Sequence, residues 1–129
     1  MKKRELWTKE IKVKDTKFCF KAKIGCEDIA EEFIKAFKKF RPAVERALMD
    51  SHFPKEFEVL IKYWDKEVAG RFRPPNLIIL TRKELISYKE TTDPKYAMME
   101  LFLHELAHWI TPDEDEDDYE YVSEWLTAT

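Results

Sequence analysis

His104, Glu105 and His108, in the pentad HELAH, are the residues of this chain whose types and spacing could do chemistry together. In an α-helix, residues four apart lie one above the other on one face, so the two imidazoles can be offered to a single ion. Tetrahedral zinc accepts such ligands. Glu105 falls about 100° round the helix from His104, where its carboxylate can contact a metal-bound water as general base without being a ligand. In shuffles of a chain of this composition the pattern arises roughly once in a hundred, so the signal is strong. The competing reading is two histidines in a buried helix, and these would need hydrogen-bond partners that the neighbouring sequence does not supply.

A hydrolytic zinc site uses three protein ligands and leaves the fourth position to water. No histidine follows His108, so the longer motif HExxHxxGxxH is excluded; Thr111 stands where it has Gly and Glu114 where it has His. Upstream, His52 in DSHFP reads as a loop or helix-end residue, which leaves a carboxylate as third ligand. Asp113 to Asp118, the run DEDEDD, read as a solvated turn placed favourably at a helix N-terminus. Glu120 and Glu124 lie four apart in YEYVSEWL, on one face of a helix. Folded back on the HELAH helix, Glu120 is the expected ligand and Glu124 the expected acceptor of a ligand histidine's second N–H, with the reverse assignment open. Asp113, Asp115, Asp117 and Glu124 also match positions 1, 3, 5 and 12 of a calcium loop. Asp118 replaces its glycine and Glu120 its apolar position, so that reading is disfavoured.

The elements that must position these groups follow from periodicity. IKVKD and KFCFKAKI alternate apolar residues with Lys and read as a half-exposed strand or hairpin. Ile29, Phe33, Ile34, Phe37 and Phe40 recur at three and four, predicting a helix from Cys26 to about Phe40, with Pro42 interrupting before Val44 to Met49. FEVLIKYW and NLIILT read as strands, the second central; Arg71 to Pro75 before it belong to a sheet edge or loop. Residues 82 to 88 suggest a short helical turn. Thr92 or Asp93 caps a helix with Pro94 at its first position, running through Ile110 and apolar nearly all round. Thr111 and Pro112 repeat that start signal for a last helix carrying Tyr119 to Leu126. The pattern predicts an α+β fold, a sheet of three or four strands with helices around it.

A length of 129 residues predicts a single domain, 1–129. Residues 1 to 50 carry 14 basic and 9 acidic groups and residues 111 to 129 carry 8 acidic and none basic. No global basic stripe exists to neutralise phosphates, so nucleic acid is a disfavoured partner, a local role for Lys2 to Lys23 remaining the third option. There is no signal peptide and no run of 18 apolar residues, so a cytoplasmic protein without a membrane span is expected. Gln is absent and Asn occurs only at Asn76, a bias expected of a thermophile. Cys19 and Cys26 lack CxxC spacing and read as reduced or partly buried thiols.

HELAH followed by EYVSE resembles the gluzincin clan of zinc metallopeptidases, whose signature is HExxH plus a glutamate on a following helix and an acidic residue four further on. Here these are His104, Glu105, His108, Glu120 and Glu124, over about a sixth of the chain. Membrane peptidases of the clan usually have Asp where this chain has Glu124. With no membrane spans, the chain looks closest to the minigluzincins, small soluble catalytic cores. The resemblance implies a zincin-like fold: a small, mostly antiparallel sheet packed on a backing helix, with a buried active-site helix and a C-terminal glutamate helix. It implies zinc-dependent cleavage of a peptide or protein substrate lying extended along a sheet edge, somewhere in residues 69 to 81. It also implies possible zymogen latency, with a terminal segment over the cleft; a tail ending at Thr129 could reach the metal only by a tight turn. An oxyanion stabiliser is also needed, with Tyr119, Tyr121, Arg73 and Arg82 as candidates. The alternative from another class is a zinc-binding scaffold or partner-binding module that does not hydrolyse.

Overall fold

In the computed structural model, residues 7–63, 70–73, 76–89, 93–110 and 115–127 are described, the backbone alone for 70–73, 88–89 and 115–119. The chain order is β1 (Trp7–Val13), β2 (Thr16–Ala22), α1 (Glu27–Lys39), α2 (Arg41–Met49), β3 (Glu56–Lys62), β4 (Gly70–Arg73), β5 (Leu77–Thr81), α3 (Arg82–Lys89), α4 (Pro94–Ala107) and α5 (Asp115–Thr127). This is an α+β fold. The predicted elements recur, α1 closing at Phe40 and α2 placing Pro42 in its first turn, where a missing N–H costs nothing.

The sheet has five strands in the order β1-β2-β3-β5-β4, more than the three or four expected, because Gly70–Arg73, read from sequence as a sheet edge or loop, pairs with β5 as an edge strand. The expectation of a mostly antiparallel sheet is corrected: β1 with β2 and β4 with β5 are antiparallel, whereas β2 with β3 and β3 with β5 are parallel. Alternating patterns report which face is buried and carry no strand direction. Direction is set by the connections, and the two helices between β2 and β3 form a crossover that returns the chain parallel. The run NLIILT is interior, flanked by β3 and the edge strand β4, with Ile78, Ile79, Leu80 and Thr81 all buried. Pro74 and Pro75 lie outside the described residues.

One sheet face is apolar and one charged. Phe18, Phe20, Phe57, Val59, Ile61, Ile78 and Leu80 point into the core, while Lys17, Cys19, Lys21, Glu56 and Glu58 line the opposite face. There Lys21 pairs with Glu58 at 2.8 Å, and Lys17 lies 3.8 and 3.9 Å from Glu10 and Glu56. These exposed pairs contribute little stability each, ~0–1 kcal/mol. The larger contribution is aromatic burial. Phe18, Phe20, Phe33, Phe37, Phe57 and Phe102 are fully buried, and Phe102 of α4 meets Phe18 at 6.0 Å and both Phe33 and Phe37 at 5.6 Å, all three edge-on. Such ring pairs add about 0.5–1.5 kcal/mol beyond the area they bury.

The start of α4 follows its sequence signal. The Asp93 carboxylate accepts the Tyr96 N–H at 3.2 Å and Pro94 takes the first helical position. The helix itself ends at Ala107, earlier than Ile110, with residues 108–110 in a turn. Among the described residues no helix is long and apolar enough to cross a membrane. Phe102→Ala is expected to lower the unfolding free energy by about 3–5 kcal/mol in chemical denaturation, and Asp93→Ala by about 1 kcal/mol.

Candidate metal centre

The rotation of α4 about its axis sets the site. At about 100° per residue, Glu105 and Leu106 lie within roughly 60° of Phe102, while His104 and His108 lie on the far side. The burial agrees: Glu105 is 5% exposed, and both histidines are only partly covered. Their ring centroids stand 4.8 Å apart with planes at 73°. Ligand-capable atoms of His104, Glu105 and His108 all lie within 4.8 Å of one another, the group of three or more such side chains found among the described residues.

Two imidazole nitrogens at this separation are donors of the type a borderline cation such as zinc accepts, with Glu105 beside them. The position on the helix suits it too. His108 is the C-cap of α4, so the pair sits at the end where the last carbonyls make the potential favourable to positive charge.

The structure does not bring Glu120 and Glu124 to this group. Both are exposed on α5, whose buried side consists of Val122 and Trp125 with Tyr121 and Leu126 partly covered. Glu120 falls nearly opposite that stripe and Glu124 well away from it. Trp125 decides the rotation, because its indole N–H donates to the Asp50 carboxylate and its carbonyl accepts the Arg46 guanidinium Nε at 2.8 Å. Matching two glutamates to one helix face predicts their common side, but the larger apolar surface of the other side chooses which side turns inward. That burial contrast was present in YEYVSEWL and could have been weighed.

The remaining candidates separate clearly. Thr111 to Glu114 lie outside the described residues, and Asp115 to Glu124 run as continuous helix, which a calcium loop is not. Arg82 is committed elsewhere: its guanidinium stacks 5.5 Å from the Tyr63 ring centre and reaches Asp28 at 3.4 Å. Tyr121 stacks on Trp125 at 5.7 Å. The side chains of Tyr119 and Arg73 lie outside the described residues. A feature the spacing did not reveal is the contact of α4 with β4, which places an antiparallel edge strand of the sheet beside the helix that carries the histidines.

Neither cysteine offers a second chemistry. Both are free. Cys26 is buried, and its burial raises the thiol pKa. Cys19 is raised by burial and by the carboxylates of Glu10 and Glu56, each 3.7 Å from its sulfur. A raised pKa means less thiolate at a given pH, so Cys19 is a poor nucleophile.

The chain matches none of the protein-family models and none of the proteins of curated function significantly. Its chemistry is therefore argued from the residues. For Cys19, alkylation by iodoacetamide at pH 8 is expected to run slower than that of an unhindered thiol, and severalfold faster after Glu10→Gln with Glu56→Gln.

Proposed function

We propose that the chain is a zinc-dependent metallopeptidase of the HExxH type, resembling the minigluzincins, that cleaves peptide or protein substrates. The observation that carries the reading is the convergence of His104, Glu105 and His108 at one end of a helix packed against β4, the edge strand of the sheet among the described residues. Glu105 favours an enzyme over a plain metal holder. A zinc site needs no acid beside its two histidines in that position, whereas a carboxylate there is placed to take a proton from a metal-bound water.

In this reading His104 and His108 hold the ion through ring nitrogens. Zinc, when bound, would supply a Lewis acid and a water of lowered pKa. The Glu105 carboxylate would accept the proton of the attacking water as its oxygen adds to the scissile carbonyl carbon, and would return it to the amine nitrogen as the C–N bond breaks. The open backbone edge of β4, Gly70–Arg73, binds an extended peptide by adding it to the sheet as a strand.

Glu120 is the proposed third ligand, and it faces outward in the structure, so it requires α5 to roll. A roll would uncover Val122 and Trp125, at a cost of about 2–3 kcal/mol each. The roll also breaks the Trp125 bonds to Arg46 and Asp50, so zinc binding would have to supply the free energy of both losses. Zinc binding through Glu120 therefore moves Trp125 out of its contacts with Arg46 and Asp50, and a shift in tryptophan fluorescence should accompany it. The outward placement of both glutamates is also what favours the second reading, a zinc-binding domain that does not hydrolyse.

Metal analysis of the wild type beside Glu120→Ala and Glu124→Ala tests the ligand set. One zinc per chain, lost only with Glu120→Ala, is the expected outcome, and unchanged stoichiometry in both variants would refute it. Glu105→Gln should keep the zinc and lose peptidase activity by at least a hundredfold, in line with general-base catalysis of about 10²–10⁴. Turnover retained in that variant removes Glu105 from the mechanism. Zinc bound without turnover on any peptide substrate would favour the scaffold.

A further inference from the structure

The contact between Trp109 and the segment after α2 bears on how the second histidine is held. His108, the C-cap of α4, has φ −60° and ψ −21°, and its N–H reaches the His104 carbonyl at 3.3 Å, at the long end for such a bond. The next two bonds, from Trp109 N–H to Leu106 and from Ile110 N–H to Ala107, span three residues instead of four. No following helical turn stiffens His108 within residues 93–110. A ligand ring must nevertheless stay within a few tenths of an ångström of its place.

Trp109, its immediate neighbour, reaches out of α4. Its indole N–H donates to the backbone carbonyl of His52 at 3.2 Å. Its ring lies 6.1 Å from Phe53, and Phe53 lies 6.0 Å from the buried Phe57 of β3. The sheet thereby grips the residue next to His108 through two rings and one hydrogen bond.

We infer that Trp109 is a positioning residue for His108, latching the C-terminal turn of α4 to the His52 carbonyl and Phe53 so that the imidazole keeps its angle toward His104. The inference rests on the metal reading of the histidine pair. The acceptor is a backbone atom, so the His52 side chain is dispensable.

Cobalt(II) titration of the full chain tests this, because cobalt takes zinc-type sites and its visible spectrum reports ligand geometry. Trp109→Phe keeps the ring and removes the donor. It is expected to weaken cobalt binding about tenfold, or about 1.4 kcal/mol, to alter the spectrum at saturation, and to speed amide exchange at residues 108–110. The far-UV circular dichroism should stay that of the wild type. His52→Ala should bind cobalt as the wild type does. Cobalt affinity within twofold of wild type and an unchanged spectrum in Trp109→Phe would overturn the latch while leaving the metal site standing. An equal loss in His52→Ala would overturn it too, by giving the role to the imidazole. A wild-type chain that binds neither cobalt nor zinc would remove the metal reading and the latch together.

Discussion

The packing of Phe102 is the constraint on which the candidate site depends. Its ring sits among Phe18, Phe33 and Phe37, so one face of α4 is committed to the sheet and to α1. Turning α4 about its axis would pull that ring out of a close-packed core, so the ring's packing sets the helix's rotation. That commitment buries Glu105 and leaves His104 and His108 on the less buried side of the helix. The arrangement divides the HELAH pentad by environment. The carboxylate is buried, and the two imidazoles are only partly covered.

Around that helix, the remaining contacts pull in two directions. Trp109 and Phe53 tie the histidine end of α4 toward Phe57 of β3. Arg46 and Asp50 tie α5 through Trp125, and that tie turns Glu120 and Glu124 to solvent. A metal with enough binding free energy to turn α5 would couple the site to the docking of a whole helix, so ligand binding and the tertiary packing of α5 would share one equilibrium. The charged sheet face takes no part in this. Its Lys–Glu pairs between neighbouring strands keep that face wetted, and in its midst burial and the carboxylates of Glu10 and Glu56 raise the Cys19 thiol pKa.

Much of the fold was legible because each element announced itself locally. The Lys-alternating strands, the Phe stripe of α1 and the Asp93-Pro94 start of α4 are set by side-chain period and by capping, which short stretches of chain contain in full. Strand direction was not legible, since the same alternation serves a parallel or an antiparallel neighbour, and the crossover through α1 and α2 made two of the pairings parallel. The exact end of α4 was hidden for a similar reason. Nothing in HWI distinguishes a further helical turn from the tighter turn that Trp109 stabilises by reaching another element.

For the candidate centre, the sequence by itself determined the convergence of His104, Glu105 and His108, because spacing on one helix fixes their relation before any packing occurs. Only the tertiary structure decided which way that trio faces, which is a matter of where Phe102 finds its partners. The same holds for α5. The sequence put Glu120 and Glu124 on one side of a helix, but a helix has no preferred rotation until its largest apolar surface is buried, and Trp125 buried the other side.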